Sequence, residues 1–308
     1  MSPRAIMEKN AMGELPTTTP DEGTAGGECC GGGTCETDVR DSVRDHYAAL
    51  VRQRGADQAC CSPSPVASQA GYTAEQLAGV PPEMRETTFA CGNPVAFAEV
   101  QPGQVVLDIG SGAGLDLILA AQAVGPSGTV IGLDMTREMV EKATSNVRNA
   151  GIANVEVRQG FMEKMPIDDA SVDWVISNCV INLSPDKPLV FSEIMRVLKP
   201  GGRMLVSDIV THGLPEKMRK NAAAYASCIG GALEEEEYLA AIRAAGFEDV
   251  EVTGKMTYSA ESIAELIKAC CSDEVAGKEE ALQSRAELDG KASSVRVSAR
   301  KPAASCCG

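Results

Sequence analysis

Two groups of residues in this chain have the types and spacing to do chemistry. One is the run Asp108-Ile-Gly-Ser-Gly-Ala-Gly114, where three glycines alternate behind an acidic residue. Glycines so placed permit a tight turn and let a ligand approach the backbone closely. The sixth position of the dinucleotide fingerprint would be Leu115, so the third glycine is misplaced for a nicotinamide cofactor. Asp134, roughly 20 residues beyond the turn, stands where an acidic side chain can accept hydrogen bonds from ribose hydroxyls. The other group is the thiols. Of 12 cysteines, eight form the pairs Cys29-Cys30, Cys60-Cys61, Cys270-Cys271 and Cys306-Cys307, leaving Cys35, Cys91, Cys179 and Cys228 single. No C-x-x-C occurs, and the two histidines, His46 and His212, stand apart from the cysteines, which argues against structural zinc.

These groups need elements to position them. Val105–Asp108, Thr129–Leu133, Val155–Val157, Val172–Ile176 and Gly202–Val210 read as strands. Helices are expected between them over Leu115–Val124, 137–149 and 187–198. That alternation predicts an α/β fold with a parallel sheet covered on both faces. Ligands of such sheets sit outside the carboxyl ends of the strands, so Asp108, Cys179 and the glycines share one crevice rim. Amphipathic spacing predicts a helix over Asp38–Arg54, and further helices over Glu216–Ile229, Glu234–Ala245 and Glu261–Cys271. Strands are expected over Phe247–Thr253 and Ser293–Ala299. The expected division is a tail over 1–37, a segment over the site at 38–100, a cofactor core at 101–212, acceptor-side additions at 213–300 and a tail at 301–308.

Composition narrows the partners. The chain has 28 basic and 43 acidic residues, a net charge of −15, and 44% hydrophobic residues. Such a balance repels phosphate backbones and anionic membrane surfaces, so neither nucleic acid nor membrane is expected as a partner. No apolar run approaches the roughly 18 residues of a membrane span, and the N-terminal residues lack a signal peptide's apolar core. A cytoplasmic location is therefore expected, where disulfide scaffolding is uncommon and 12 cysteines call for another explanation.

The glycine turn resembles that of the class I methyltransferases, which share D-x-G-x-G-x-G. That likeness implies S-adenosylmethionine as cofactor and a Rossmann-like fold, with Asp108, Gly110, Gly112, Gly114 and Asn178 at the site. It also implies Asp134 on the ribose and Met135, Phe161 and Met162 around the adenine, although Phe161 and Met162 would serve equally as core packing. A narrower resemblance, to the arsenite methyltransferases, rests on Phe89-Ala-Cys91-Gly-Asn-Pro94, Ser177-Asn-Cys-Val-Ile-Asn-Leu-Ser-Pro-Asp-Lys187 and Cys228-Ile-Gly-Gly-Ala-Leu233. It implies that Cys91, Cys179 and Cys228 hold arsenite or methylarsenite, with Cys60 or Cys61 as a redox partner. A thiol reductant, glutathione or thioredoxin, is then implied too.

The chemistry is self-consistent. Trivalent arsenic is soft and prefers thiolates, and its lone pair is a nucleophile with no proton to lose. No general base is required, whereas transfer to oxygen or nitrogen often uses one. Two rivals remain at this stage: a methyltransferase acting on another small carbon, oxygen or nitrogen acceptor, and a protein that sequesters soft metals without turnover.

Overall fold

From Val105 onward short apolar runs alternate with amphipathic stretches, and most form the element their pattern predicts. The protein, seen in a computed structural model, is described at residues 39–54, 72–78, 80, 92–93, 98–270 and 277–304. Five strands come first: β1 (Val105–Ile109), β2 (Thr129–Asp134), β3 (Val155–Gln159), β4 (Val172–Asn178) and β5 (Leu198–Thr211). Two follow, β6 (Glu248–Thr257) and β7 (Ala292–Arg300). They form one sheet in the order β3-β2-β1-β4-β5-β7-β6. β1 to β5 are parallel, while β7 runs antiparallel between β5 and β6. Central strands such as β1, almost wholly buried, are apolar except for Asp108 because helices cover both their faces.

The helices are α1 (Val39–Arg54), α2 (Ala74–Ala78), α3 (Leu115–Val124), α4 (Arg137–Asn149), α5 (Lys187–Val197), α6 (Glu216–Arg219) and α7 (Ala222–Ala226). They continue with α8 (Glu235–Ala244), α9 (Ala260–Cys270) and α10 (Lys278–Gln283). One face of the sheet packs on Phe191, Ile194 and Tyr238, the other on Leu117, Ile118 and Val124. Each such fully buried large side chain contributes about 1.5–3 kcal/mol relative to exposure. A third apolar cluster, which includes Val43, Ile229, Ile263 and Ile267, gathers around Cys179 and Cys228. Among the described residues no helix is long and apolar enough to cross a membrane.

Among the differences from the sequence reading, two bear on the site. The single helix expected over Glu216–Ile229 is broken into α6 and α7, because Asn221 accepts a hydrogen bond from Ala224 N (3.0 Å) and starts a new helix. β4 extends to Asn178, since Ser177 and Asn178 still pair with Val206 and Ser207 of β5. The extension carries Cys179 to the first position beyond the strand.

Candidate active site

The order of the sheet reverses direction between β1 and β4, and at that switch point a crevice opens at their carboxyl ends. It encloses about 1030 Å³ of space continuous with solvent. The glycine turn forms one wall. Gly110 N and Ser111 N both donate to Leu133 O, at 2.7 and 3.1 Å, folding the turn back onto β2. Gly110, Gly112 and Gly114 have φ of 71°, 51° and 94°, left-handed backbone that glycine adopts without penalty. A Cβ on Gly110 would fall 2.5 Å from Val180 Cγ2, whereas one on Gly112 would meet nothing nearer than Gly110 O at 4.0 Å. Gly112 therefore leaves a cradle open to the crevice.

Three carboxylates cluster by this wall. Asp134 accepts from Gly112 N (3.0 Å) and Thr136 N (2.8 Å); burial raises its pKa against those bonds. Asp116 accepts from Tyr72 OH (2.9 Å) and Asn178 Nδ2 (3.2 Å). Its pKa is pushed up to about 6 by burial, which those two bonds oppose. Asp108 is buried beneath them, its pKa raised well above the ordinary range by burial and by the charges of Asp116 and Asp134.

The thiol wall is built from segments remote in sequence. Cys179 N donates to Ser207 O (2.7 Å), tying it to β5 as it leaves β4. Its φ is 58°. Cys228 closes α7: Cys228 N donates to Tyr225 O and Ile229 N to Ala224 O, both at 2.9 Å. This is the Schellman pattern, and Cys228, with φ 64°, stands where glycine is usual. Cys228 Sγ donates to Cys179 O at 2.9 Å, so the two cysteines meet across 49 residues of sequence. Cys228 and Cys179 are both buried, and Cys179 is disulfide-bonded.

Asn178, next to Cys179, binds the segment beside Cys91. Its Oδ1 accepts from Gly92 N (3.2 Å) and its Nδ2 donates to Gly92 O (2.7 Å). Gly92 also packs so tightly on Ser207 that a Cβ there would lie 2.4 Å from Ser207 Oγ.

Of the residues named from sequence, Gly110, Gly112, Asp134, Met135, Phe161, Met162, Asn178 and Cys179 line this one crevice. Asp108 and Gly114 lie behind it; Gly114 caps the start of α3 and packs on Ala143. Cys228 lies one contact away, through the Cys179 carbonyl. Cys60, Cys61 and Cys91 are outside the described residues. The sequence reading missed Arg40, Tyr47 and Glu163, which also line the crevice. Arg40 stacks over Phe161, 5.8 Å from its centroid, and Tyr47 OH donates to Ala226 O (3.2 Å). The apolar spacing of α1 marked a helix but gave no sign of where it docks.

The comparisons agree with this geometry. Residues 101–246 match a family described as a methyltransferase domain. An arsenite methyltransferase of Halobacterium salinarum is 42% identical over 233 residues, covering 71% of this chain and 59% of that protein. The crystal structure of an arsenic(III) S-adenosylmethionine methyltransferase from Chlamydomonas reinhardtii is 33% identical. It matches with a TM-score of 0.59 over 80% of this chain and 76% of that one. The chain belongs to the arsenite methyltransferase family.

A human arsenite methyltransferase is 34% identical, over 69% of this chain and 59% of that protein. The chain thus spans about 59% of the length of these curated family members. The fold is the class I methyltransferase fold, and the Chlamydomonas relative is named for S-adenosylmethionine. The residues present fit that molecule: the Gly112 cradle is open, the buried Ser111 Oγ on the crevice wall makes no hydrogen bond, and the wall is acidic. An acidic wall suits a cationic sulfonium.

Proposed function

We propose that this member transfers methyl groups from S-adenosylmethionine to trivalent arsenic, arsenite or methylarsenite, held by cysteine thiolates. The observation that carries the reading is the meeting of Cys179 and Cys228 beside the cofactor crevice, each in strained backbone. Left-handed φ in non-glycine residues is sustained by the surrounding structure and concentrates at functional sites.

Bound S-adenosylmethionine would supply an electrophilic methyl group; the chain supplies the rest. Gly110 and Gly112 admit the cofactor, Asp134 meets the ribose, and Met135, Phe161 and Met162 flank the adenine. Asp108, Gly114 and Asn178 hold the turn and the neighbouring segment in place. Cys91, Cys179 and Cys228 take the arsenic, each thiol proton leaving with an arsenic hydroxyl as water. Fixing the arsenic between thiolates converts an encounter into an oriented approach. Residues 38–100 and 213–300 serve the acceptor side, the former carrying Cys60 or Cys61 as the redox partner.

Because Cys179 is disulfide-bonded here, this form must be reduced before it takes arsenic. That requirement supports a thiol reductant, glutathione or thioredoxin, and a cytoplasmic setting where thiols are kept reduced. The test is incubation with arsenite, glutathione and S-adenosylmethionine, followed by separation of the arsenic species. Methylated arsenicals are expected; recovery of unchanged arsenite alone would overturn the reading.

A further inference from the structure

Tyr72 stands behind the cofactor crevice, where Asp116 and Asn178 line it. It is only 5% exposed and shares an apolar cluster with Val80 and Leu115. Its hydroxyl donates to both oxygens of Asp116, at 2.9 and 3.1 Å, and accepts from Asn178 Nδ2 at 2.9 Å. Burial and the Asp116 charge raise the Tyr72 pKa well above the ordinary phenol range, so the proton stays on the phenol. Asn178 carries the file onward: Nδ2 donates to Gly92 O (2.7 Å) and Oδ1 accepts from Gly92 N (3.2 Å). Gly92 in turn is pressed against Ser207, whose carbonyl oxygen accepts from Cys179 N (2.7 Å). One file of hydrogen bonds therefore runs from Asp116, on the crevice, through Tyr72 and Asn178 to the residue that follows Cys91.

We propose that Tyr72 is the positioning residue through which an occupied cofactor crevice seats the Gly92 segment against the thiol wall, an inference that rests on the S-adenosylmethionine reading above. The direction of donation carries the effect. An ionised carboxylate only accepts hydrogen bonds, so Asp116 as an anion requires the Tyr72 proton. The phenol oxygen is then the acceptor for one Asn178 amide hydrogen, and the other goes to Gly92 O. Asn178 Oδ1 is left facing Gly92 N, and both backbone groups of Gly92 are held. A protonated Asp116 could donate as well, and the file would lose its fixed sense. Without an opposing cation, burial disfavours the Asp116 anion, and the buried Asp108 beside it is repelled by both Asp116 and Asp134. Arg40, a cation lining the same crevice, stacks over Phe161. Asp116 is stabilised as an anion once a cationic sulfonium lies on this acidic wall, and each bond along the file is strengthened in turn.

The test is amide hydrogen exchange at Gly92 N–H, measured with and without saturating S-adenosylmethionine, whose binding is read separately by calorimetry. In the wild type the cofactor should slow exchange about tenfold, a typical coupling between two sites. In Tyr72→Phe, which keeps the ring and loses only the hydroxyl, the cofactor should still bind but slow exchange less than about twofold. Asp116→Asn, which leaves Tyr72 in place and removes the charge, should lose the effect as well at saturating cofactor. Equal slowing in Tyr72→Phe and the wild type overturns the inference. Faster exchange in Tyr72→Phe with and without cofactor alike, the ratio kept, also overturns it, because that marks a merely structural tyrosine. So does a wild type that binds the cofactor with no slowing at Gly92. A wild type that binds no S-adenosylmethionine breaks the cofactor reading itself, and the calorimetry tells the two failures apart.

Discussion

On the glycine wall of the crevice, left-handed backbone falls on Gly110, Gly112 and Gly114; on the thiol wall it falls on Cys179 and Cys228. The first wall is a single strand–turn–helix unit whose residues adopt their conformations freely. The second is assembled from the end of β4, the end of α7 and the segment around Gly92. Its two described cysteines carry a strain of about 1–2 kcal/mol each. The difference separates two ways of making a site: one is affordable anywhere in a sequence, whereas the other persists only where distant segments hold it. On the proposed function it would also divide the chemistry, with cofactor binding on the relaxed wall and arsenic on the strained one.

The largest expected effect tests that division directly. Cys179→Ser and Cys228→Ser should each lower arsenite methylation by at least about 100-fold, the scale on which misplacing a reactant is felt. Calorimetric binding of S-adenosylmethionine should be unaltered. Parallel loss of both functions would show that the walls are not separable. Gly110→Ala should do the converse and more. Its Cβ would collide with Val180, the residue after Cys179, so cofactor affinity should drop at least about tenfold and stability by about 1–3 kcal/mol. A variant with wild-type affinity and melting temperature would remove the turn from the site.

A smaller effect probes the strain. At most positions alanine is the more stabilising residue than glycine; at 228 the order should invert. Cys228→Gly should exceed Cys228→Ala in stability by about 1 kcal/mol in urea denaturation, both being inactive. Equal values would mean the backbone there is unstrained. The smallest effect concerns Asp208, beneath the thiol wall. Burial pushes its pKa from 3.8 up to about 7. The folded state then holds a proton that the unfolded state releases, so its contribution to stability falls as pH rises from about 3.8 to about 7 and is constant above that window. Asp208→Asn lacks this loss, so its melting temperature relative to the wild type should climb between pH 4 and pH 7. A constant difference across that range would contradict the assignment.

The glycine wall was legible in the sequence because its parts are contiguous. Asp108 to Gly114 and Asp134 belong to successive strands, and their spacing alone carries the geometry. The central strands β1, β2 and β4 were legible for the same reason, since burial on both faces writes itself as a largely apolar run. Cys179 was legible as a position at the end of β4. Its pairing with Cys228 was reachable only through family resemblance, because nothing local in either segment encodes a contact 49 residues apart. Glu163 gave no local signal at all. It follows Phe161 and Met162 in a short turn, and its burial depends on Ser184 arriving from the far side of β4.

The sequence by itself determined the order of strands and helices, the glycine turn, the acidic end of β2 and a thiol at the rim, because each is a property of neighbours along the chain. Only the tertiary structure decided that Cys228 meets Cys179, that Asn178 binds Gly92, that α1 lays Arg40 and Tyr47 over the crevice and that Glu163 faces it. Those are relations between distant segments, fixed by sheet register and core packing.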